Sequence, residues 1–236
     1  MFIHKYQRRG DYHAGRKESC QDAIAYFEDD TYALAVIADG VTGCVYGKQG
    51  ATCTCEAIKD FVKRERSNLL YYAPEKTAYL LMEHILYFLE KLADLQGHDV
   101  QEYAATFAFA LIEKDSGRTV LGNLGDCVGF LLYEGGQTMI LPMRRHGGQP
   151  CLTTTPDAYK AMVLKGTVLS MEDTVMLCTD GLIHGAWSLI RDPRMDLRVY
   201  EELDAALDAS NEPDDCSYIT VTRTRNYGIK DAEKGE

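Results

Sequence analysis

Two apolar runs of this 236-residue chain end in the same dipeptide, Asp-Gly, which points to carboxylate chemistry at strand ends. The run AVIADG closes at Asp39-Gly40, and the run VMLCTDG closes at Asp180-Gly181. A buried strand that stops on Asp places a carboxylate at a sheet edge, and the glycine lets the backbone turn sharply there. Two further acidic turns, Gly125-Asp126 and Asp214-Asp215, lie beside other strand-like runs. Together these four positions predict an all-oxygen site for hard divalent cations.

The composition restricts the partners and the compartment that we expect. The formal net charge is −11, which argues against a nucleic-acid partner because phosphate backbones require a basic face. The N-terminal segment MFIHKYQRRG is basic but has no apolar core behind it, so it predicts no secretory signal. No apolar run approaches the ~20 residues that a membrane-spanning helix needs. We therefore expect a cytoplasmic protein with no membrane partner.

The eight cysteines favour a reduced protein over a zinc or disulfide framework. They are scattered along the chain and form no C-x-x-C pair, whereas zinc sites use clustered pairs. Most of them lie in apolar contexts, where a buried thiol is the ordinary state.

The elements that must position the carboxylates are strands in hairpins and amphipathic helices. Apolar alternation and turn residues predict strands over 2–8, 23–27, 32–38, 104–113, 118–123, 128–133, 137–141, 167–170, 174–179 and 218–224. Apolar residues at helical spacing predict helices over 47–66, 74–95, 182–190 and 196–209. The strands are too numerous for one small sheet.

This pattern predicts an α+β fold, a four-layer α-β-β-α sandwich of two stacked, mostly antiparallel sheets flanked by helices. We expect residues 1–225 to form one domain. The irregular segment 142–164 is rich in Gly, Pro and Thr and is predicted to be a flap. Residues 226–236 form a polar tail that we expect to fray.

Six segments, taken in chain order, resemble the motifs of the metal-dependent protein phosphatases, the protein phosphatase 2C family. They are SCQDA (19–23), AVIADGVTG (35–43), AATFAFALI (104–112), GNLGDCVGFLL (122–132), VMLCTDGL (175–182) and DDCSYITV (214–221). The series covers nearly the whole chain. The pattern H-x-G-x-x-x-x-C-Q-D over residues 13–22 resembles a prokaryotic branch of that family.

The resemblance implies a site for Mg²⁺ or Mn²⁺, with two ions and a third, weaker ion in many members. Asp39 would bridge two of the ions, and the Gly40 carbonyl would bind one of them. Asp180 and Asp214 would complete the protein ligands. Asp126 matches the position that holds the third ion.

The other site residues that the resemblance implies act on water, phosphate and the leaving group. Asp22 belongs to both the metal and the catalytic set, because it would hold metal-bound water. Family members usually carry an Arg five residues before this Asp to clamp phosphate. That position is Lys17 here, and Arg16 beside it offers the better bidentate fork. Val41 replaces the proposed proton-donating His of eukaryotic members, so His13 or a metal-bound water is the expected donor.

The resulting prediction is a serine/threonine phosphoprotein phosphatase. Two adjacent cations neutralise a phosphate dianion, acidify a bridging water and hold it in line with the leaving oxygen, without a covalent enzyme intermediate. A phosphorylated protein is the expected substrate, and a cognate protein kinase is a candidate partner. Two alternatives stay open: a binding or scaffold module, which would have no reason to keep Asp39, Asp180 and Asp214, and a phosphatase of a small phosphorylated metabolite.

Overall fold

A computed structural model describes residues 1–69, 72–134, 136–146, 148–191 and 200–223, without the side chains of residues 146, 187–189 and 191. The strands are β1 (Phe2–Arg8), β2 (Ala23–Glu28), β3 (Tyr32–Gly40), β4 (Ala105–Glu113), β5 (Arg118–Leu124), β6 (Val128–Tyr133), β7 (Gly136–Leu141), β8 (Arg145–His146), β9 (Gln149–Pro150), β10 (Val163–Val168), β11 (Thr174–Cys178) and β12 (Cys216–Thr222). The α-helices are α1 (Asp11–Gly15), α2 (Gly47–Leu69), α3 (Pro74–Gln96), α4 (Asp180–Arg191) and α5 (Tyr200–Asp208). Two short 3₁₀ helices cover Val100–Tyr103 and Ala158–Lys160.

The strands form two five-stranded sheets and one small hairpin. The first sheet has the order β1-β12-β11-β6-β7, and the second has the order β10-β5-β4-β3-β2. Strands β8 and β9 form the hairpin. Every strand pairing in the described ranges is antiparallel. The predicted α+β sandwich is confirmed.

The sheets are stacked face to face and covered by helices on their outer faces, which gives three apolar layers. Successive strand residues point to opposite faces, so β4 supplies two layers at once. Phe107 and Phe109 pack in the layer under α2 and α3, whereas Ala108 and Ala110 pack between the sheets. The third layer lies between the first sheet and helices α4 and α5. Strands buried on both faces explain the unbroken apolar runs in the sequence.

Helices α2 and α3 match the predicted amphipathic segments closely. Helix α3 begins with Pro74 in its first turn and is capped after Gln96 by Gly97, whose φ of 69° is left-handed. Proline at the start and a left-handed glycine at the end are the expected helix boundaries. Of the described helices, none is both long and apolar enough to cross a membrane.

The structure departs from the predicted elements in several places. The segment 142–164, predicted to be irregular, contains the β8–β9 hairpin, a 3₁₀ helix and the start of β10. Helix α1 forms where a loop was expected. Strand β10 covers Val163–Val168, so its predicted range, 167–170, is shifted by several residues. The last helix is described from Tyr200 rather than 196, because 192–199 lie outside the described residues, as does the predicted tail over 226–236.

The topology brings several strand ends to one edge of the sandwich. Antiparallel neighbours run in opposite directions, so the end of β3, the turn from β5 to β6, the end of β11 and the start of β12 all lie at the same edge. Each of these positions carries one of the acidic turns that the sequence singled out.

Candidate metal centre

Four carboxylates from both sheets line one cavity of about 200 Å³ at this edge. They are Asp39, Asp126, Asp180 and Asp214. The remaining lining comes from Thr106, Pro150 and residues 40–43. Residues separated by as many as 175 positions in the sequence therefore share one small polar space. The structure thus brings together four of the residues that were predicted as metal ligands.

Asp39 is placed by the central pairing of the second sheet. It lies opposite Thr106 in the β3–β4 register, and Gly40 lies opposite Ala105. The ladder continues one step further, since the Val41 N–H donates to the Ala104 carbonyl at 3.1 Å. Because the β3–β4 hydrogen bonds continue beyond Asp39, the backbone there is fixed, and so is the direction of the Asp39 side chain.

Two glycines allow the other acidic turns to approach closely. Gly125, just before Asp126, has a φ of 82°, a left-handed value that glycine adopts without strain. Gly181 packs so tightly that a Cβ there would lie 2.1 Å from the Asp215 carbonyl oxygen. Because no larger residue fits at Gly181, the start of α4 and the Asp214-Asp215 turn are held against one another.

Asp215 fixes the turn rather than facing the cavity. Its carboxylate is 2% exposed and accepts hydrogen bonds from the Gly10 N–H at 2.7 Å and the Gln21 N–H at 2.6 Å. The Nδ1 atom of His13 lies 3.0 Å from the same carboxylate, and the His13 side chain is 1% exposed. The structure therefore places His13, the predicted proton donor, against Asp215 and outside the described lining of the cavity.

Asp22 lies behind Asp39 and is fully buried. Its Oδ2 atom accepts a hydrogen bond from the Thr179 hydroxyl at 3.1 Å, and its carboxyl is within hydrogen-bond reach of Asp39. The Asp22 backbone carbonyl accepts hydrogen bonds from Gln7 and Lys48. Asp22 is thus held next to Asp39 by hydrogen bonds to both its carboxyl and its backbone carbonyl.

Burial and mutual repulsion raise the pKa values of the clustered carboxyls. The pKa of Asp39 lies well above its usual value because the group is buried and because the charges of Asp22, Asp180, Asp214 and Asp126 oppose its ionisation. Burial is also the largest cause of the raised pKa of Asp22, to about 7. Buried like charges hold protons near neutral pH unless a cation neutralises them.

The pKa of Asp180 is raised to about 6 by burial and then by the charges of Asp126 and Asp214. The pKa of Asp214 is raised by burial as well. The donors are oxygens, and the cluster is destabilised by its own charge. Both properties suit Mg²⁺ or Mn²⁺, which prefer carboxylate oxygens.

Two further observations fit a bound cation. The buried Oδ1 atom of Asp180 has no hydrogen-bond partner among the described residues, which leaves one ligand position unused. The other oxygen, Oδ2, lies 2.9 Å from Arg145, and the same Nη2 atom of Arg145 lies 3.1 Å from Asp126. A single guanidinium thus bridges two of the predicted ligands, so the cavity already accommodates positive charge between them.

A sequence model described as Protein phosphatase 2C matches residues 9–213. The chain belongs to the protein phosphatase 2C family. Members of this family depend on divalent metal ions, in agreement with the donor set of the cavity. No curated protein matches the chain in sequence.

Solved structures show the same phosphatase 2C fold. A bacterial serine phosphatase is 17% identical, with a TM-score of 0.68 and coverage of 98% of this chain and 99% of its own. Stp1, a serine/threonine phosphatase from Staphylococcus aureus, is 16% identical, with a TM-score of 0.68 and coverage of 93% and 94%. RsbX, solved in complex with magnesium, is 17% identical, with a TM-score of 0.58 and coverage of 92% of both chains. At these identities the likeness concerns the fold.

The two basic residues predicted to clamp phosphate are outside the described lining of the aspartate cavity. The Arg16 guanidinium stacks 4.2 Å from the Tyr12 ring centroid. Arg16 lines a neighbouring groove that shares Thr42 and Gly43 with the aspartate cavity. Lys17 is exposed and has a φ of 59°, a left-handed value that is strained for lysine. Of the two, Arg16 is the better placed to meet a substrate at the mouth of the cavity.

Sequence reasoning missed two residues at this phosphatase 2C site. Arg145 lies in the segment predicted as a flap, and only the presence of an Arg pair among Gly and Pro residues could have singled it out. His184 lies one helical turn after Asp180, and the spacing D-x-x-x-H was the available signal. Arg145 approaches Asp126 and Asp180 through tertiary contacts that the sequence does not encode locally.

Replacing Arg145 with Ala is expected to tighten Mg²⁺ binding by about threefold or more, because the guanidinium competes with the cation for Asp126 and Asp180. Isothermal titration calorimetry measures this change directly. Arg144→Ala is the matched control, since Arg144 is an exposed neighbour with no ion pair to either carboxylate among the described contacts. Equal Mg²⁺ affinity in wild type and Arg145→Ala would contradict the competition.

Proposed function

We propose that this protein hydrolyses phosphoserine and phosphothreonine in proteins, with two Mg²⁺ or Mn²⁺ ions held by Asp39, the Gly40 carbonyl, Asp180 and Asp214. A third ion is assigned to Asp126. The observation that carries the proposal is the convergence of these carboxylates on one cavity, where their charges raise one another's pKa values. Membership of the protein phosphatase 2C family supports the same reaction.

The residues of the chain prepare the site for hydrolysis in distinct ways. When bound, paired divalent cations supply charge neutralisation and an acidified water. Asp39 and Asp180 provide the negative charge that attracts these cations. Asp22, fixed by Thr179, is proposed to accept a hydrogen bond from a water in the cavity and so to orient it. Rigid placement of this kind lowers the entropic cost of reaching the in-line geometry.

The substrate phosphate is proposed to enter from the groove that carries Arg16. Thr42 and Gly43 line both this groove and the aspartate cavity, so the two spaces adjoin. A phosphate bound at the aspartates would therefore lie next to the groove. Arg16, with Lys17 as the substitute, is proposed to hold the phosphate oxygens, because guanidinium binds them in a bidentate manner. His13 is buried against Asp215, so it would need a rearrangement to reach the cavity and protonate the leaving group. A water in the cavity is therefore the proposed proton donor in this structure.

The segment 142–164 is proposed to act as the flap of a single catalytic domain over 1–225. It carries Arg145, and Pro150 from the same segment lines the cavity. A loop that reaches the reaction centre is well placed to select among phosphoproteins. A cognate protein kinase and a cytoplasmic location complete the proposal.

Hydrolysis of p-nitrophenyl phosphate and of a phosphothreonine peptide tests the proposed function. We expect turnover with Mn²⁺ that excess chelator abolishes and that added Mn²⁺ restores. Metal binding without turnover of either substrate would instead indicate a binding or scaffold module. Turnover confined to a panel of small phosphorylated metabolites would overturn the phosphoprotein assignment.

A further inference from the structure

His184 faces two of the proposed metal ligands. It lies on α4 one turn after Asp180, four residues further along, and residues at this spacing share one face of a helix. One ligand atom each from Asp180, His184 and Asp214 can be chosen so that all three lie within 4.8 Å of one another. This separation is short enough for a single ion to contact all three groups.

The three groups sit on rigid supports. The Asp214 backbone packs against Gly10, where a Cβ would lie 2.3 Å from the Asp214 carbonyl carbon. The loop before it is tied down as well, because the Asp11 N–H donates to the Glu212 carbonyl at 3.2 Å and the Tyr12 N–H donates to the Pro213 carbonyl at 3.0 Å. These contacts hold Asp214 against the start of α1, and the next residue, Asp215, is held against the start of α4, because a Cβ on Gly181 would lie 2.1 Å from the Asp215 carbonyl oxygen.

One carboxylate oxygen in the group formed by Asp180, His184 and Asp214 lacks a hydrogen-bond partner among the described residues. Asp180 is 6% exposed, lines the cavity, and leaves its Oδ1 atom without a hydrogen-bond partner in the described part of the chain. A buried carboxylate oxygen in this state is costly unless an ion or a water binds it. His184 is exposed, and one of its ring nitrogens lies within 4.8 Å of a carboxylate oxygen of Asp180 and of Asp214.

We propose that Asp180, His184 and Asp214 form a mixed oxygen–nitrogen subsite that selects a transition-metal ion with higher affinity for nitrogen, Co²⁺ most and Mn²⁺ to a smaller degree, over Mg²⁺. Carboxylates alone favour hard cations, whereas an imidazole nitrogen adds affinity for softer ones. The inference rests on the proposed function, since it uses two of the same carboxylates. It goes beyond that function by assigning His184 a role in the choice of metal.

Electron spin echo envelope modulation on the Mn²⁺-loaded full chain tests the nitrogen ligand. We expect modulation from a coordinated ¹⁴N in wild type and its loss in His184→Asn. His84→Asn is the matched control, because His84 also faces an aspartate, Asp60 at 3.0 Å, but lies on α3 away from the cavity. The control should keep the modulation. Absence of ¹⁴N modulation in wild type, or its persistence in His184→Asn, would overturn the assignment.

Calorimetric titration with Co²⁺ and Mg²⁺ provides a second readout. His184→Asn is expected to weaken Co²⁺ binding about tenfold or more and to change Mg²⁺ binding less than about twofold. His184→Asp restores an oxygen donor, so it should keep Mg²⁺ affinity while Co²⁺ affinity stays low. Circular dichroism and the melting temperature of each variant verify that it is folded. Equal losses for both ions would mean that His184 does not discriminate between them.

The outcomes separate this inference from the proposed function. If the wild type hydrolyses a phosphothreonine peptide and binds metal, yet His184→Asn changes neither the modulation nor the ratio of Co²⁺ to Mg²⁺ affinity, only the subsite is overturned. If Mg²⁺, Mn²⁺ and Co²⁺ all fail to bind and no substrate turns over, the proposed metal centre is overturned with it.

Discussion

Asp39→Asn is expected to abolish metal-dependent phosphatase activity and, at the same time, to make the metal-free protein more stable. Asp39 lies at the centre of the carboxylate cluster, and four neighbouring charges oppose its ionisation. Removing its charge relieves this repulsion, so the melting temperature in chelator at pH 7.5 should rise by about 3 °C or more. The rate of p-nitrophenyl phosphate hydrolysis with Mn²⁺ should fall by about a thousandfold, because the proposed bridging ligand is lost.

The opposite signs of these two effects make the prediction specific. Substitution of a carboxylate that only stabilises the fold would lower the melting temperature of the metal-free protein. Substitution of an ordinary surface carboxylate would change neither the melting temperature nor the rate of hydrolysis. Asp157→Asn is the matched control, since Asp157 is exposed and pairs with Lys160 on the surface at 2.6 Å. A less stable metal-free Asp39→Asn protein, or one that retains Mn²⁺-dependent turnover, would contradict the central role of Asp39.

The metal-free protein is expected to lose stability as the pH rises from about 5 to 8, against the usual behaviour of ion-paired carboxylates. The folded-state pKa is raised to about 7 for Asp22 and to about 6 for Asp180, whereas both groups ionise near 4 in an unfolded chain. A raised carboxyl pKa means that the folded state holds protons which the unfolded state has released. Protonation of these carboxyls therefore contributes fully to the stability of the folded state below pH 4. This contribution is lost as the pH rises through 6 and 7.

Divalent cations should reverse this slope. Once ionised, the carboxylates are proposed to bind Mn²⁺, and a ligand that binds only the folded state raises its stability. Melting curves between pH 5 and 8, recorded with chelator and with Mn²⁺, should therefore diverge as the pH increases. In Asp39→Asn the melting temperature measured in chelator should depend less on pH, because part of the repulsion among the clustered carboxylates is removed. A chelated melting temperature that stays level or increases over this range would contradict the prediction.

The fold and the carboxylate cluster were predictable because both follow from local patterns. Asp39 and Asp180 each end an apolar run, which correctly predicted a carboxylate at the end of a buried strand. The sharp Asp-Gly turn predicted with it was wrong, since Gly40 still pairs in β3 and Asp180 begins α4. Helices α2 and α3 carry regular apolar stripes bounded by Pro74 and Gly97. In these cases the local signal and the tertiary structure agree, so neighbouring residues suffice to identify the element.

Helix α1, the position of strand β10 and the role of Arg145 could not be predicted, because they depend on contacts between segments that are distant in the sequence. Helix α1 is a short polar turn with no apolar period, yet it carries His13 inward to Asp215, over 200 positions away. Strand β10 is a largely exposed edge strand, so its position follows from pairing with β5 rather than from alternation. Arg145 reaches Asp126 and Asp180 through the path of an irregular segment, which no sequence period records.

The pairing of β1 with β12 has a consequence for how the site comes into being during synthesis. Phe2 lies opposite Thr222, and the Gly10 and Gln21 amides bind the carboxylate of Asp215. The earliest and the latest stretches of the sandwich are thus neighbours in space. A nascent chain still attached to the ribosome cannot assemble the cavity until its final strand has emerged. Metal loading must therefore follow translation of nearly the entire domain, which keeps the unfinished polypeptide catalytically silent.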